Sequence, residues 1–144
     1  MMQLTAFRVG AVAWTFTGVA HDVLEFALSA DPQLTAAMRA SSVEVGPVHL
    51  NAESLHRGVS LAMGLAMIVV GILLWMISEV LRDNLDRLRR FGRVALLSSI
   101  LALGLAVVWV PGPPLVTFTV ATAAFTAALL AKTPASSSRS GRHA

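Results

Sequence analysis

The chain contains no cysteine, and this absence removes several kinds of chemistry at once. Disulfides, thiolate nucleophiles, iron–sulfur clusters and cysteine-based zinc sites are all excluded. Charge is scarce as well: charged residues make up 13% of the sequence, against about 25% in typical soluble domains. Hydrophobic residues make up 56%, and lipid accepts such surface because its tails are as apolar as leucine. The composition therefore indicates an integral membrane protein.

Motifs that would identify a common enzyme class are missing too. The sequence has no HExxH metal motif, no G-x-S-x-G nucleophile elbow and no glycine-rich phosphate loop after a strand. It has no inverted repeat of the kind that many transporters show. The net charge is only +3, and the arginines are not interleaved with stacking aromatics, so no nucleic-acid partner is predicted.

Three long apolar runs, at residues 58–77, 94–110 and 115–131, dominate what remains. Each is close to the roughly 20 helical residues that cross a bilayer. A fourth run, at 9–28, is less pure because it ends in ionisable residues. We therefore predict an all-α fold, a bundle of four transmembrane helices in a single domain over residues 1–131. The predicted helices cover about 5–28, 55–81, 94–110 and 115–131.

Arginine and lysine positions predict an orientation. Arg8, the arginine-rich segment 82–93 and the basic tail 132–144 fall on one side of the predicted bundle. The positive-inside rule then places both termini in the cytoplasm of a multi-pass protein of the cell membrane, inner or plasma. The tail is rich in Ser, Arg and Pro and is predicted to be disordered. A cleaved secretory signal peptide is an alternative interpretation of the first run.

The connections between the apolar runs carry local signals of their own. Pro32 to Arg39 is predicted to form a short surface helix, with proline in its first turn. Asn51 is a candidate N-cap for the second long helix. In segment 82–93, apolar residues recur every three positions among charges, which is typical of an amphipathic connection at the lipid headgroups. Those apolar residues are Leu85, Leu88 and Phe91.

Ionisable residues cluster at one predicted depth, and such residues are costly near membrane spans. We call this set the polar corner; it comprises His21, Asp22, Glu25, Glu53, His56 and Arg57. His21 and Glu25 are four apart on a helix and share a face. With His56 from the next helix, they are weak candidate ligands for a divalent metal, and the two histidines are candidate axial ligands for a haem.

Simpler interpretations of the polar corner need no cofactor. Arg57 could pair with Asp22 or Glu25, while His21 bonds a backbone carbonyl or a hydroxyl. The cluster could equally lie in the wet headgroup zone, or relay protons. We favour the structural interpretations, and we expect no bound cofactor.

Small residues predict where helices pack closely. Ser60 and Gly64 form a small-xxx-small pair in the second long helix, and Gly71 continues the same face. The face suits packing inside the bundle or self-association.

The order of these features resembles an uncharacterised bacterial family of small four-helix integral membrane proteins, over about residues 6–131. Gly18-Val-Ala-His21 matches the family's Gly-x-x-His near the end of helix one. Ser54-Leu-His-Arg-Gly58 occupies the start of helix two, where this chain has Leu55 and His56 in place of aromatic residues. Pro111-Gly-Pro-Pro114 matches the turn between helices three and four. The resemblance implies a topology and singles out His21, but it implies no reaction.

Two functional hypotheses follow. The first is a small structural or accessory membrane protein without enzymatic activity, embedded in the bilayer and bound to a second copy or to a larger membrane protein. The alternative is a haem- or metal-dependent oxidoreductase or isomerase acting on a lipophilic substrate. A faint likeness of Leu55-His-Arg-Gly58 to the haem-binding membrane epoxide isomerases belongs with this alternative.

Overall fold

The structure is a computed structural model that describes residues 1–28, 31–109 and 112–131. These residues form four long helices, and a short helix and a hairpin lie between the first and the second of them. The elements, in chain order, are α1 (Met2–Ala27), α2 (Pro32–Ala40), β1 (Ser42–Val45), β2 (Val48–Asn51), α3 (Ala52–Val80), α4 (Leu85–Trp109) and α5 (Pro113–Leu130). The predicted disordered tail, 132–144, lies outside the described residues.

Helix α1 is the centre of the arrangement, because it packs along both α3 and α5, while α4 packs mainly on α5. The ring of Phe7 meets the ring of Phe125 edge to face, with centroids 5.3 Å apart. The indole Nε1 of Trp14 donates to Ser99 Oγ on α4 at 2.9 Å. Helices α4 and α5 are therefore each joined to α1 by a specific side-chain contact.

The contacts also give the helix directions. Arg8, near the start of α1, bonds Glu79 at the end of α3, and His21 meets Ser60 near the start of α3. Helices α1 and α3 are therefore antiparallel. We call the two ends of the molecule the Arg8 end and the His21 end.

The prediction of four transmembrane helices is wrong. Among the described residues, three helices are long and apolar enough to cross a bilayer, namely α3, α4 and α5. Helix α1 has 26 residues but is not one of them, since polar and ionisable side chains interrupt its apolar sequence. These side chains include Gln3, Arg8, His21, Asp22 and Glu25. The positive-inside rule had placed both termini in the cytoplasm, which also requires an even number of spans, and this orientation is unsupported as well.

The amphipathic connection predicted before the third long helix is instead the first two turns of that helix. Helix α4 begins at Leu85, where the Asn84 side chain accepts the Arg87 backbone N–H at 3.1 Å. Leu88 is fully buried in the core and Leu85 is half-buried, which draws this segment onto the bundle. Phe91, in contrast, is exposed. Burial of leucines explains why the segment continues the helix.

The segment between α1 and α3 folds into a cap at the His21 end. Helix α2 is the predicted short helix, with Asp31 as its N-cap and Pro32 at its first position. The antiparallel hairpin β1–β2 was not predicted from the sequence, and it turns at Gly46, whose φ is +60°. Asn51 ends β2 and caps α3, because its Oδ1 accepts the Ser54 N–H at 2.7 Å. The N-cap predicted at Asn51 is confirmed.

Candidate functional site

A chain of hydrogen bonds joins three side chains of α1 and α3 at the His21 end. His21 Nε2 lies 3.0 Å from Ser60 Oγ and 3.2 Å from the Ser60 carbonyl oxygen. Ser60 Oγ donates to Glu25 Oε2 at 2.7 Å. The i, i+4 spacing places His21 and Glu25 on the side of α1 that faces Ser60.

The direction of these bonds fixes the histidine tautomer. The Ser60 hydroxyl has one hydrogen, which it gives to Glu25, and the Ser60 carbonyl can only accept. The Nε2 atom of His21 must therefore carry the hydrogen and donate toward Ser60. All donors in the chain point toward the carboxylate of Glu25, so each bond polarises the next.

This arrangement differs from that of a nucleophilic serine. In a serine–histidine pair that activates a nucleophile, the hydroxyl donates to the imidazole. Here Ser60 is buried, accepts from His21 and donates to Glu25. The chain of bonds consequently holds α1 against α3, and His21 is not placed to take the proton of the Ser60 hydroxyl.

Small residues let the two helices approach closely beneath this chain of bonds. A side chain at Gly18 would meet the backbone of α3 at the nitrogen of Ile68, only 2.8 Å from the added Cβ. A side chain at Gly71 would meet the backbone nitrogen of Thr15 at 2.6 Å. Gly64 lies directly against the carboxylate of Asp22, whose Oδ1 is buried without a hydrogen-bond partner among the described residues. The predicted packing face is thus placed inside the molecule, on the α1–α3 interface.

Glu53 belongs to a different contact from the rest of the polar corner. Its two carboxylate oxygens accept from Nε and Nη2 of Arg39, so a bidentate ion pair ties α2 to the start of α3. The carboxylate raises the pKa of Arg39 above its ordinary value, mainly through the hydrogen bond. This pair holds the cap over the His21 end.

A cavity of about 310 Å³ lies between the cap and the helix ends. It brings together His21, Glu25, Glu53, His56 and Arg57 along its walls, while Thr35 and Met38 of α2 line the other side. His56 and Arg57 are exposed. Arg57 makes no ion pair within 4 Å with any described carboxylate, so the predicted pairing with Asp22 or Glu25 is not found in this structure.

The candidate metal ligands do not converge. Over residues 1–28, 31–109 and 112–131, no three His, Asp or Glu side chains come close enough to hold a metal ion. His21 already uses Nε2 within the α1–α3 interface, and His56 stands at the exposed rim of the cavity.

A second polar cluster, at the Arg8 end, was not recognised from the sequence. Arg8 Nη2 donates to Glu79 Oε1 at 2.7 Å, and its Nε donates to Ser78 Oγ at 3.2 Å. The guanidinium also stacks over Trp75, 5.2 Å from the ring centroid. From the sequence, Arg8 indicates only an orientation. Its pairing with Glu79 leaves no local pattern, because 71 positions separate the two residues.

No protein-family model, curated protein or solved structure matches the chain. The resemblance to a bacterial four-helix family therefore stays a prediction based on short motifs. Its main motif has a local physical reason in this structure, since Gly18 permits the close approach of α3 and His21 bonds across to it.

Proposed function

We propose that the chain is a non-enzymatic accessory protein of the cell membrane, crossing it more than once, and that it works as a homodimer assembled through α1. Its three long apolar helices are compatible with a small membrane protein. The polar corner supports a structural role, because its strongest contacts join α1 to α3 and α2 to α3. The dimer proposal rests on one further observation, the shape of the outward side of α1.

We call this surface the outer α1 stripe. Its members are apolar, exposed and spaced three or four apart; they are Val9, Val12, Phe16, Val19, Val23 and Phe26. A stripe with this period occupies one side of a helix and needs an apolar neighbour, either lipid or a protein helix.

The stripe is a ridge between two hollows. One hollow, of about 530 Å³, extends toward Thr117 and Val120 of α5. The other, of about 400 Å³, extends toward Gly71 and Ile72 of α3. Phe16 lines both hollows and is 60% exposed.

A ridge flanked by hollows is complementary to itself. In a two-fold dimer the same patch meets its own copy, so Phe16 of each chain can occupy a hollow of the other. Close shape packing of this kind is what associates helices within lipid, where the hydrophobic effect gives no net drive. The Ser60–Gly64–Gly71 face cannot serve this purpose, because α1 already covers it.

The test is the oligomeric state of the full chain, measured by native mass spectrometry from mild detergent across a protein dilution series. We expect a dimer for the wild type. Phe16→Ala should weaken it about tenfold or more, as expected for an aromatic anchor at the centre of an interface.

Leu101→Ala is the matched control, because Leu101 is similarly exposed, at 62%, but lies on α4. It should leave the dimer unchanged. A wild type that stays monomeric at every concentration would refute the proposal, and so would equal losses in the two variants. Circular dichroism of both variants checks that their helices are intact.

A further inference from the structure

Helices α3 and α4 follow each other in the chain but barely touch in the fold. Helix α3 packs on α1, and α4 packs on α5. The gap between them at the Arg8 end is a cavity of about 850 Å³. We call it the α3–α4 cleft. It is separate from the polar corner and from the outer α1 stripe.

The walls of the α3–α4 cleft are apolar away from its mouth. Helix α3 contributes Leu73, Met76 and Val80, and α4 contributes Phe91 and Val94. All five side chains are exposed, at 44% or more. Their spacing along each helix makes two facing apolar stripes that extend toward the centre of the spans.

The mouth of the cleft is basic. Arg87 and Arg90 line it, three apart in the first turns of α4 and therefore on one side of the helix. All eight acidic side chains of the chain lie within the described residues, and none is within 4 Å of either guanidinium. The positive end of the α4 dipole adds to the same field. Within the described part of the chain, the mouth thus holds two cations that no acidic side chain pairs with.

A basic mouth above an apolar cleft is complementary to a ligand that has an anionic head and an apolar tail. We propose that the α3–α4 cleft binds an anionic phospholipid, with its phosphate at Arg87 and Arg90 and an acyl chain between Val80 and Val94. The distance along α4 from Arg87 to Val94 is about 10 Å at 1.5 Å per residue, enough to take the upper part of an acyl chain. Basic pockets between transmembrane helices recognise lipid headgroups by this chemistry.

Charge favours a lipid over a second copy of the chain in this cleft. A two-fold dimer through the cleft would bring Arg87 and Arg90 of both copies to the same depth, and like charges there repel. An anionic headgroup instead neutralises them. Lipid binding in the cleft is independent of the proposed dimer, because the dimer uses the outer α1 stripe and the opposite side of α3.

The test is native mass spectrometry of the full chain titrated with phosphatidylglycerol or with phosphatidylcholine carrying the same acyl chains. We expect tighter binding of phosphatidylglycerol. The double variant Arg87→Gln/Arg90→Gln should lose roughly 30-fold in phosphatidylglycerol affinity, the loss expected when two arginines near an anionic surface are removed. Its phosphatidylcholine binding should not change.

Two controls separate a site from general surface attraction. Arg82→Gln/Arg93→Gln removes the same charge from the same segment but from residues that do not line the cleft, so it should keep the affinity. Leu73→Trp fills the apolar part while keeping both arginines, so it should lower the affinity for both lipids. Thermal unfolding in detergent checks that each variant folds.

Three results would overturn the proposal. The first is equal binding of the two lipids by the wild type. The second is an equal loss in the two arginine double variants. The third is displacement of phosphatidylglycerol by millimolar glycerol phosphate, which would show binding of the phosphate group alone.

Discussion

The close approach of α1 and α3 at Gly71 gives the sharpest stability prediction. Gly71→Ala adds a Cβ that would lie 2.6 Å from the backbone nitrogen of Thr15 and 2.8 Å from the backbone oxygen of Ala11. Ordinary van der Waals contact of a Cβ begins near 3.4 Å. Backbone atoms of a packed helix cannot rotate away, so the two helices must separate.

The magnitude follows from two opposing terms. Overpacking of a close interface costs about 1–3 kcal/mol. Replacing a helical glycine with alanine stabilises the helix itself by up to about 1 kcal/mol. Gly58→Ala isolates the second term, since Gly58 lies in the same helix and has nothing within 4 Å of an added Cβ. We therefore expect Gly71→Ala to be about 1–3 kcal/mol less stable than Gly58→Ala.

Gly64→Ala provides an intermediate case. The three atoms nearest to its added Cβ would all belong to the Asp22 side chain, which can turn aside at a smaller cost than a backbone can. The expected order of stability is therefore Gly58→Ala, then Gly64→Ala, then Gly71→Ala.

The assay is reversible unfolding in mixed micelles by titration with sodium dodecyl sulfate, followed by circular dichroism. Equal stabilities of Gly58→Ala and Gly71→Ala would refute the close packing of α1 on α3. A reversal of Gly64→Ala and Gly71→Ala would show that the contact between the helices is centred elsewhere.

Two further predictions concern the His21 end. Ser60→Ala leaves Glu25 without its serine donor and should lower the free energy of unfolding by about 1 kcal/mol in the same titration. Ser98→Ala, at an exposed position of α4, should have no effect. Equal losses in the two variants would contradict the hydrogen-bond chain. Arg39→Ala breaks the ion pair that holds α2, so limited proteolysis should cut the cap faster while the unfolding titration stays unchanged. High salt should speed cleavage of the wild type in the same way, and cleavage unaffected by either change would show that the pair does not hold the cap.

The sequence predicted the long apolar helices α3 and α5 well, because uninterrupted apolar residues both form helices and set their length. The predicted start of α4 was wrong, because the first turns of that helix have the amphipathic pattern of a connection at the membrane surface. These turns join the helix because Leu88 is buried, and Leu88 is buried only when α1 and α5 pack against it. Local patterns cannot show such a distant partner.

The hairpin was missed for a different reason. Alternating valines around Gly46 do fit two short strands, but four residues on each side give a weak signal next to long apolar runs. Its place as part of a cap depends on the pair between Arg39 and Glu53, which are 14 positions apart.

The candidate site was predictable only in part. Helical spacing correctly placed His21 and Glu25 on one face, because that spacing is a property of α1 alone. Their bonding partner is Ser60, which had been assigned only to packing. Pairing of Arg57 with Asp22 was one interpretation, yet Asp22 lies against Gly64, seven residues beyond Arg57 on α3. Pairings between helices depend on their relative rotation, and the sequence does not specify it.

The central position of α1 has a consequence for biosynthesis. Helix α1 leaves the ribosome before α5, on which it packs, and Phe7 meets Phe125 across 118 residues of chain. At about 5–20 residues per second, that separation corresponds to roughly 6–24 seconds of synthesis. During this interval α1 can dock on the Ser60–Gly64–Gly71 face of α3, but the side of α1 that carries Phe7 has not yet met α5. The contact between α1 and α5 therefore forms only after α5 has been synthesised, and until then the nascent chain presents Phe7 to any nearby apolar surface or chaperone.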